Sequence, residues 1–235
     1  MYGLLNEIQS EVLNYILIQR VVSFSELRDS FFASVSRQAA MKSIKGISEK
    51  LPSLIDIKSR GIGAKKFVVA KPVAGLSSTY TDHDLIVSEL RELFLSTYKD
   101  AKWISEFEMR LGISRSNIST DLFKFSYQPD GAVIYCPISG EKRIVVGIEV
   151  EKSLKTKRRI RERLLGIEDA LLTHCDYFLV FAYAKSIFTL YQEALTQIAQ
   201  KQKRNHTQLR CRIILLNSKL LEKETFLKTI EEKLK

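Results

Sequence analysis

Histidine and cysteine are scarce in this chain, with three of each in 235 residues. Cys136, Cys175 and Cys211 lie far apart and form no Cys-x-x-Cys pair, and only His174 neighbours a cysteine. That spacing argues against a zinc site and offers no disulfide framework. The thiols read as reduced and partly buried, as in a cytoplasmic protein. No apolar run approaches the ~20 residues that a membrane span needs. The opening MYGLLNEIQSEVL carries acids early and lacks a basic start followed by an apolar block, so it does not read as a secretory signal. A membrane is therefore not expected as a partner. Acidic residues are also in deficit, 27 against 37 basic ones, for a net charge of +10.

What is present is ordinary for a globular protein: 45% hydrophobic and 27% charged residues. The length suits two small domains or one large one. The basic excess favours polyanionic partners, because each lysine or arginine on a phosphate releases counterions. Residues 1–78 hold 11 Lys+Arg and 6 Asp+Glu, and the other 157 hold 26 and 21. Both parts carry +5, so the front third is about twice as charge-dense.

Within 1–78, Leu5, Ile8, Val12, Tyr15, Ile16 and Gln19 recur at helical spacing, which predicts a helix from Leu4 to Val22. Ser23 to Glu26 fits a capping box opening a second helix that ends near Phe31. Ser34 or Ser36 can cap a third, running to about Lys50 and stopped by Pro52. Leu54–Lys58 and Lys66–Ala70 read as strands joined by a glycine-containing loop. Three helices and a hairpin are the order of a winged helix, whose third helix enters the major groove. That helix offers Arg37, Gln38, Lys42, Ser43 and Lys45, and the hairpin offers Lys58, Arg60, Lys65 and Lys66. Arginine and glutamine can read base edges, while lysines mostly hold phosphates. The stretch 73–82, VAGLSSTYTD, reads as a linker.

From Thr81-Asp82 a helix is expected with His83, Ile86, Leu90, Leu93 and Phe94 on one stripe. Strands are expected at Ala101–Met109, Gly131–Cys136 and Arg143–Glu151, with a short strand or turn at Asp121–Tyr127. A helix from Leu154 to Thr173, a strand Tyr177–Tyr183, a helix Ile187–Gln202, a strand Cys211–Leu216 and a helix from Lys219 complete the order. Three meandering strands followed by strands that return through helices predict a mixed sheet covered on both faces. The fold class is thus α/β (α+β overall), with a DNA-binding domain over 1–78 and a second domain over 79–235.

The chemistry is expected in that second domain. Strand alternation puts Val145, Gly147, Glu149 and Glu151 on one face of their strand. A hairpin with the strand opening Pro129-Asp130-Gly131 would bring Asp130 to the same end. Three converging carboxylates repel one another unless protonated or neutralised by a cation. Hard oxygen donors suit Mg²⁺ or Mn²⁺, which can activate water and stabilise charge on a phosphate under attack. Lys152, Lys155, Lys157, Arg158, Arg159, Arg161 and Arg163 follow within twelve residues, against one acid, Glu162. Such a basic helix would hold a nucleic-acid backbone against the acids.

The element order, Pro129-Asp130 and the strand ending Glu149-Val-Glu151 resemble the PD-(D/E)XK nuclease superfamily over about residues 82–216. Glu151 stands where the usual motif has lysine. Some members of that superfamily carry a Glu-x-Glu pair, and some take a further ligand from the first helix. The resemblance therefore implies metal ligands at Asp130, Glu149 and Glu151, with Glu89 as a candidate fourth. Lys152 and Lys155 are the candidates for the missing lysine, Lys152 pointing to the opposite strand face. The layout is also similar to MobC-type plasmid mobilization relaxases and replication-relaxation proteins. They share a winged helix, a segment like His83-Asp-Leu-Ile-Val-x-x-Leu-Arg91, an Asp and a Glu-x-Glu. That likeness implies a functional His83 or Asp84. Common relaxases use a histidine triad and a tyrosine nucleophile. This chain has no His-x-His cluster, so nicking would use the acidic site.

The function expected is a metal-dependent DNA endonuclease or relaxase that nicks DNA, at a transfer origin, to mobilize a plasmid or other mobile element. Lys155, Arg158 and Arg159 would join Arg37, Gln38, Lys42, Lys45, Arg60, Lys65 and Lys66 on the DNA. Accessory mobilization or coupling proteins are implied as further partners, and the oligomeric state stays open. The alternatives are a restriction- or transposition-type endonuclease and an inactive nuclease-fold accessory protein or regulator.

Overall fold

The computed structural model describes residues 5–59, 66–71, 78–98, 100–112, 127–136, 142–202 and 210–234. Among them the chain is mixed α/β, with eight helices and two sheets of three and five strands. None of those helices is long and apolar enough to cross a membrane. Two compact units divide between Glu92 and Leu93.

In the first unit α1 (Glu7–Gln19) starts on a reciprocal cap: Asn6 Oδ1 accepts from Gln9 N at 2.8 Å, and Gln9 Oε1 accepts from Asn6 N at 3.3 Å. Gln9 is buried and Ile8, expected on the core stripe, is 50% exposed. The helix stops before Val22 because Arg20 turns the backbone to a φ of 65°. Val21–Ser23 then forms a strand, β1, in place of the last helical turn. Two β-branched valines favour that outcome.

α2 (Phe24–Phe31) is capped by Ser23, whose Oγ accepts from Glu26 N at 3.0 Å. α3 (Arg37–Lys50) is capped by Ser36 and ends at Leu51, just before Pro52. The hairpin of β2 (Ile55–Ser59) and β3 (Lys66–Ala70) forms as expected, pairing Ile55 with Ala70 and Ser59 with Lys66. β1 adds antiparallel to β3, so the hairpin becomes a sheet of order β1-β3-β2. Val12, Ile16, Leu27, Ile44, Ile47 and Val68 fill the core between helices and sheet.

α4 (Ser78–Thr97) begins where a linker was expected and passes from the first unit into the second. Its Arg91 explains why the units do not divide at residue 78. The side chain is 1% exposed and forms a bidentate pair with Glu26, Nε to Oε1 and Nη2 to Oε2, both at 2.9 Å. Nη1 donates to Gln19 Oε1 at 3.1 Å, and Nη2 to the Val21 carbonyl at 2.7 Å and to Ser88 Oγ at 3.2 Å. Tyr15 OH donates to the same Glu26 at 2.5 Å. Glu26 thus caps nothing with its carboxylate. It anchors α4.

In the second unit the expected strand Ala101–Met109 splits into β4 (Lys102–Ser105) and α5 (Glu106–Leu111). Ser105 and Glu108 make a full capping box: Glu108 Oε2 accepts from Ser105 N at 2.9 Å and Ser105 Oγ accepts from Glu108 N at 3.2 Å. Gly112, at a left-handed φ of 63°, closes the helix. The short element expected at Asp121–Tyr127 lies almost wholly outside the described residues.

The remaining elements are β5 (Gly131–Tyr135), β6 (Ile144–Glu151), α6 (Lys157–Thr173), β7 (Tyr177–Ala182), α7 (Lys185–Gln202), β8 (Cys211–Leu215) and α8 (Lys223–Leu234). The sheet order is β4-β5-β6-β7-β8, antiparallel as far as β6 and parallel beyond it. One face packs on α6 and α7 through Ala132, Ile160, Leu164, Phe178, Tyr191 and Leu195. The other carries Phe94, Tyr98, Trp103, Tyr135 and, from α8, Phe226, with the Phe94 and Phe226 rings edge-on at 4.9 Å. All three cysteines are free, and burial pushes the Cys175 and Cys211 thiols up to about 12.

Candidate active site

β5 and β6 set the carboxylates by register alone. Gly131 pairs with Ile148, so Asp130 lies one residue beyond the strand, at the level of Glu149. Its Oδ2 accepts from Val150 N at 2.7 Å, which fixes the carboxylate against the end of β6. Glu149 and Glu151 share the face of β6 that packs under α6 and α7, and they are only 3% and 2% exposed. Gly147 lies on that same face two residues earlier. A Cβ there would stand 2.5 Å from the Phe178 ring of β7, so the close approach of the strands needs glycine.

The helices close over the pair. Arg163 of α6 places Nη1 2.7 Å from Glu149 Oε1 and also bonds Glu151 Oε2. Tyr191 of α7 donates to Glu151 Oε2 at 2.8 Å. Ser153 offers its backbone N–H to Glu151 Oε1 at 3.4 Å, and Lys155 Nζ lies 3.6 Å from the same oxygen. The Arg163 guanidinium stands over the Tyr127 ring, 5.7 Å from its centroid. Gly166 makes room for that ring, since a Cβ there would come within 2.6 Å of Tyr127 Cβ.

These neighbours act on one another electrostatically. Burial, and then Asp130, push the Glu149 carboxyl well above its ordinary range, while Arg163 and the Tyr127 hydroxyl pull it back. Burial would lower the Arg163 guanidinium, but Glu149, Tyr127, Tyr191 and Glu151 together raise it. Burial raises the Tyr127 and Tyr191 phenols, and Glu149 and Glu151 respectively add to it. One buried cation thus serves two glutamates, with a third carboxylate close by.

In charge and donor type the trio suits a hard divalent cation: three carboxylates, with Glu149 held above its usual range by burial and by Asp130. The place such an ion would take between Glu149 and Glu151 is held by the guanidinium. Consistent with that, among the described residues no group of three or more His, Cys, Asp or Glu is arranged as a ligand set.

Beside the carboxylates, Tyr127, Lys155, Arg159, Glu162 and Arg163 line a cleft of 340 Å³. Thr156 caps α6 there by accepting from Arg159 N at 3.3 Å, leaving further N-terminal N–H groups of the helix without intrahelical partners. Arg158 turns away to a fully exposed pair with Glu162 at 2.8 Å. In the first unit Arg37, Gln38, Lys42 and Lys45 are exposed along α3 and, with Lys66 of β3, line a depression of 530 Å³. Lys58 is exposed on β2, and Arg60 and Lys65 lie outside the described residues.

The other expected site residues fall elsewhere. His83 Nδ1 is 3.6 Å from Asp84 Oδ1, and Asp84 Oδ2 is 3.7 Å from Arg20 Nη2, all in the first unit. Glu89 is half-buried on the part of α4 that also belongs to the first unit. Lys152 follows the end of β6 half-buried, and it is Lys155 whose ammonium approaches Glu151. Sequence reasoning missed Arg163, Tyr127 and Tyr191 as partners of the acids. Arg163 abuts the buried stripe Ile160, Leu164 and Ile167, and Tyr191 lies within the stripe Ile187, Leu195 and Ile198. A polar group in or beside a core stripe was the available signal. No protein-family model matches the chain, and no curated protein matches it.

Proposed function

We propose that this chain is a divalent-metal-dependent DNA endonuclease, built as a winged helix followed by a PD-(D/E)XK-like domain. The observation that carries the reading is the convergence of Asp130, Glu149 and Glu151 at one end of β5 and β6, beside a cationic cleft. The order helix, three antiparallel strands, helix, parallel strand around those acids supports the nuclease likeness. Three helices with a β-hairpin, and the cations of α3 and Lys66 on one surface, support the winged helix.

Asp130, Glu149 and Glu151 would hold Mg²⁺ or Mn²⁺, which supplies an activated water and charge stabilisation at phosphorus. The chain's own groups do the rest. Lys155 and Arg159 hold a backbone phosphate at the cleft. Ser153 and Tyr191 fix the Glu151 oxygens by hydrogen bonds. Lys155, within 3.6 Å of Glu151, fills the station of the motif lysine that Glu151 displaces. Arg37 and Gln38 at the start of α3 read bases, while Lys42, Lys45 and Lys66 hold phosphates. A nick at a transfer origin, in the manner of a mobilization relaxase, is the specific role within this reading.

One observation favours a second reading. Arg163 already neutralises both glutamates, as it would in an inactive accessory protein that keeps the fold for DNA binding. Nicking of supercoiled plasmid, with and without transfer-origin DNA, separates the two. Relaxation that needs Mg²⁺ or Mn²⁺ and is lost in Asp130→Ala and Glu149→Ala is the expected result. DNA binding without cleavage under either metal moves the assignment to the accessory role. Cleavage that is indifferent to origin DNA favours a restriction- or transposition-type enzyme.

A further inference from the structure

We infer that Arg163 is an internal counter-cation that a divalent ion displaces, and that the freed guanidinium then binds a DNA phosphate in the neighbouring cleft. The inference rests on the metal-dependent reading above and adds the order of events to it. Three features carry it. Arg163 bonds both Glu149 and Glu151, the two inner carboxylates, so guanidinium and ion compete for the same oxygens. Its side chain is 27% exposed while the glutamates are 4% and 3% exposed, so only the arginine has a way out. That way out is the 340 Å³ cleft, already lined by Lys155 and Arg159 and floored by Tyr127.

The charges make each state self-consistent. Without an ion, a guanidinium keeps two buried glutamates from facing each other unneutralised. With an ion in place, Arg163 has lost its anions, and a phosphate diester is the ligand its planar fork fits best. Metal and DNA would then bind cooperatively, each favouring the arginine position that suits the other.

The test uses the full chain with Arg163→Met and Arg163→Lys. It reads Mn²⁺ affinity by electron paramagnetic resonance, thermal melting with and without Mn²⁺, and Ca²⁺-supported binding to a short DNA duplex by fluorescence anisotropy. Removing the competitor should tighten Mn²⁺ binding about tenfold in Arg163→Met, with Arg163→Lys between it and the native chain. Mn²⁺ should raise the melting temperature of Arg163→Met more than that of the native protein, and should refold the variant if it is unfolded alone. DNA affinity with Ca²⁺ present should fall about tenfold in Arg163→Met. Equal or weaker Mn²⁺ binding by the folded variant overturns the exchange. So does a variant that saturating Mn²⁺ fails to refold, and unchanged DNA affinity overturns the movement to phosphate. In these cases the native protein still binds Mn²⁺ and the metal-dependent reading stands. If the native chain binds no Mn²⁺ either, that reading falls and takes the inference with it.

Discussion

Arg91 in the first unit and Arg163 in the second are both arginines facing glutamates away from water, and they differ in how the charges add up. Arg91 meets one carboxylate, Glu26, in a bidentate pair, and its other N–H groups go to Gln19, Ser88 and the Val21 carbonyl. The cluster is neutral, saturated and 1% exposed at the arginine. Arg163 meets two carboxylates with Asp130 nearby, and opens onto a cleft. A balanced cluster can only break, whereas one with surplus acid can trade its cation for another. The first is a fastening and the second a site, although both are made of the same two functional groups.

The comparison is tested most severely at Arg91. Arg91→Met should lose about 3–5 kcal/mol of stability, because it strands a buried Glu26. Replacing Glu26 by Leu in the same protein should recover most of that loss, since no buried charge remains. Urea denaturation measures both, and a nearly neutral Arg91→Met would erase the distinction drawn here. Arg163→Met, measured without metal, should lose less, on the order of 1–3 kcal/mol, because water reaches that cluster through the cleft.

A matched pair of Ser-x-x-Glu sequences sharpens the contrast. Glu108 returns to cap Ser105, so Glu108→Ala should cost about 1 kcal/mol as an ordinary lost cap. Glu26 follows Ser23 at the same spacing but holds Arg91, so Glu26→Ala should cost several times more by the same denaturation assay.

The smallest effect expected is a change of slope with pH. The Glu149 carboxyl titrates above its ordinary value of 4.5 in the folded chain, through burial and Asp130. The folded state therefore keeps a proton that the unfolded state releases. The stability this confers is complete below 4.5 and is lost as pH rises through the folded value. Glu149→Gln removes that titration, so its metal-free melting temperature should fall less between pH 4 and pH 8 than the native one does. Parallel curves would mean that Arg163 neutralises Glu149 fully.

The carboxylate trio was legible because a strand has a period of two. Once Arg143–Glu151 was read as a strand, Glu149 and Glu151 had to share a face, and the turn before it returned Asp130 to their level. Helix starts at Ser23 and Ser36 were legible through their caps. The split at Ser105 was not, because Trp-Ile-Ser-Glu-Phe-Glu-Met alternates well enough to pass for one strand and the capping box inside it went unread. β1 was hidden because Val21 and Val22 continue a helical stripe, and only the positive φ at Arg20 ends it. The Arg163, Tyr127 and Tyr191 contacts depend on how α6 and α7 lie over the sheet, which local pattern does not encode. Arg91 was read as the end of a motif. Its partner lies 65 residues earlier in the chain, a separation that no spacing rule reaches.

Gly147 carries a consequence for inheritance. Every amino-acid change there adds a Cβ, which would stand 2.5 Å from the Phe178 ring and spread β6 from β7 just before Glu149. The position has no neutral neighbours in sequence space. A lineage can drift at Arg158 or Leu165 on the outer face of α6, but at Gly147 it must keep glycine or first change Phe178. The two residues can therefore diversify only together, and descendants of this gene should record the ancestry of the site in that pair.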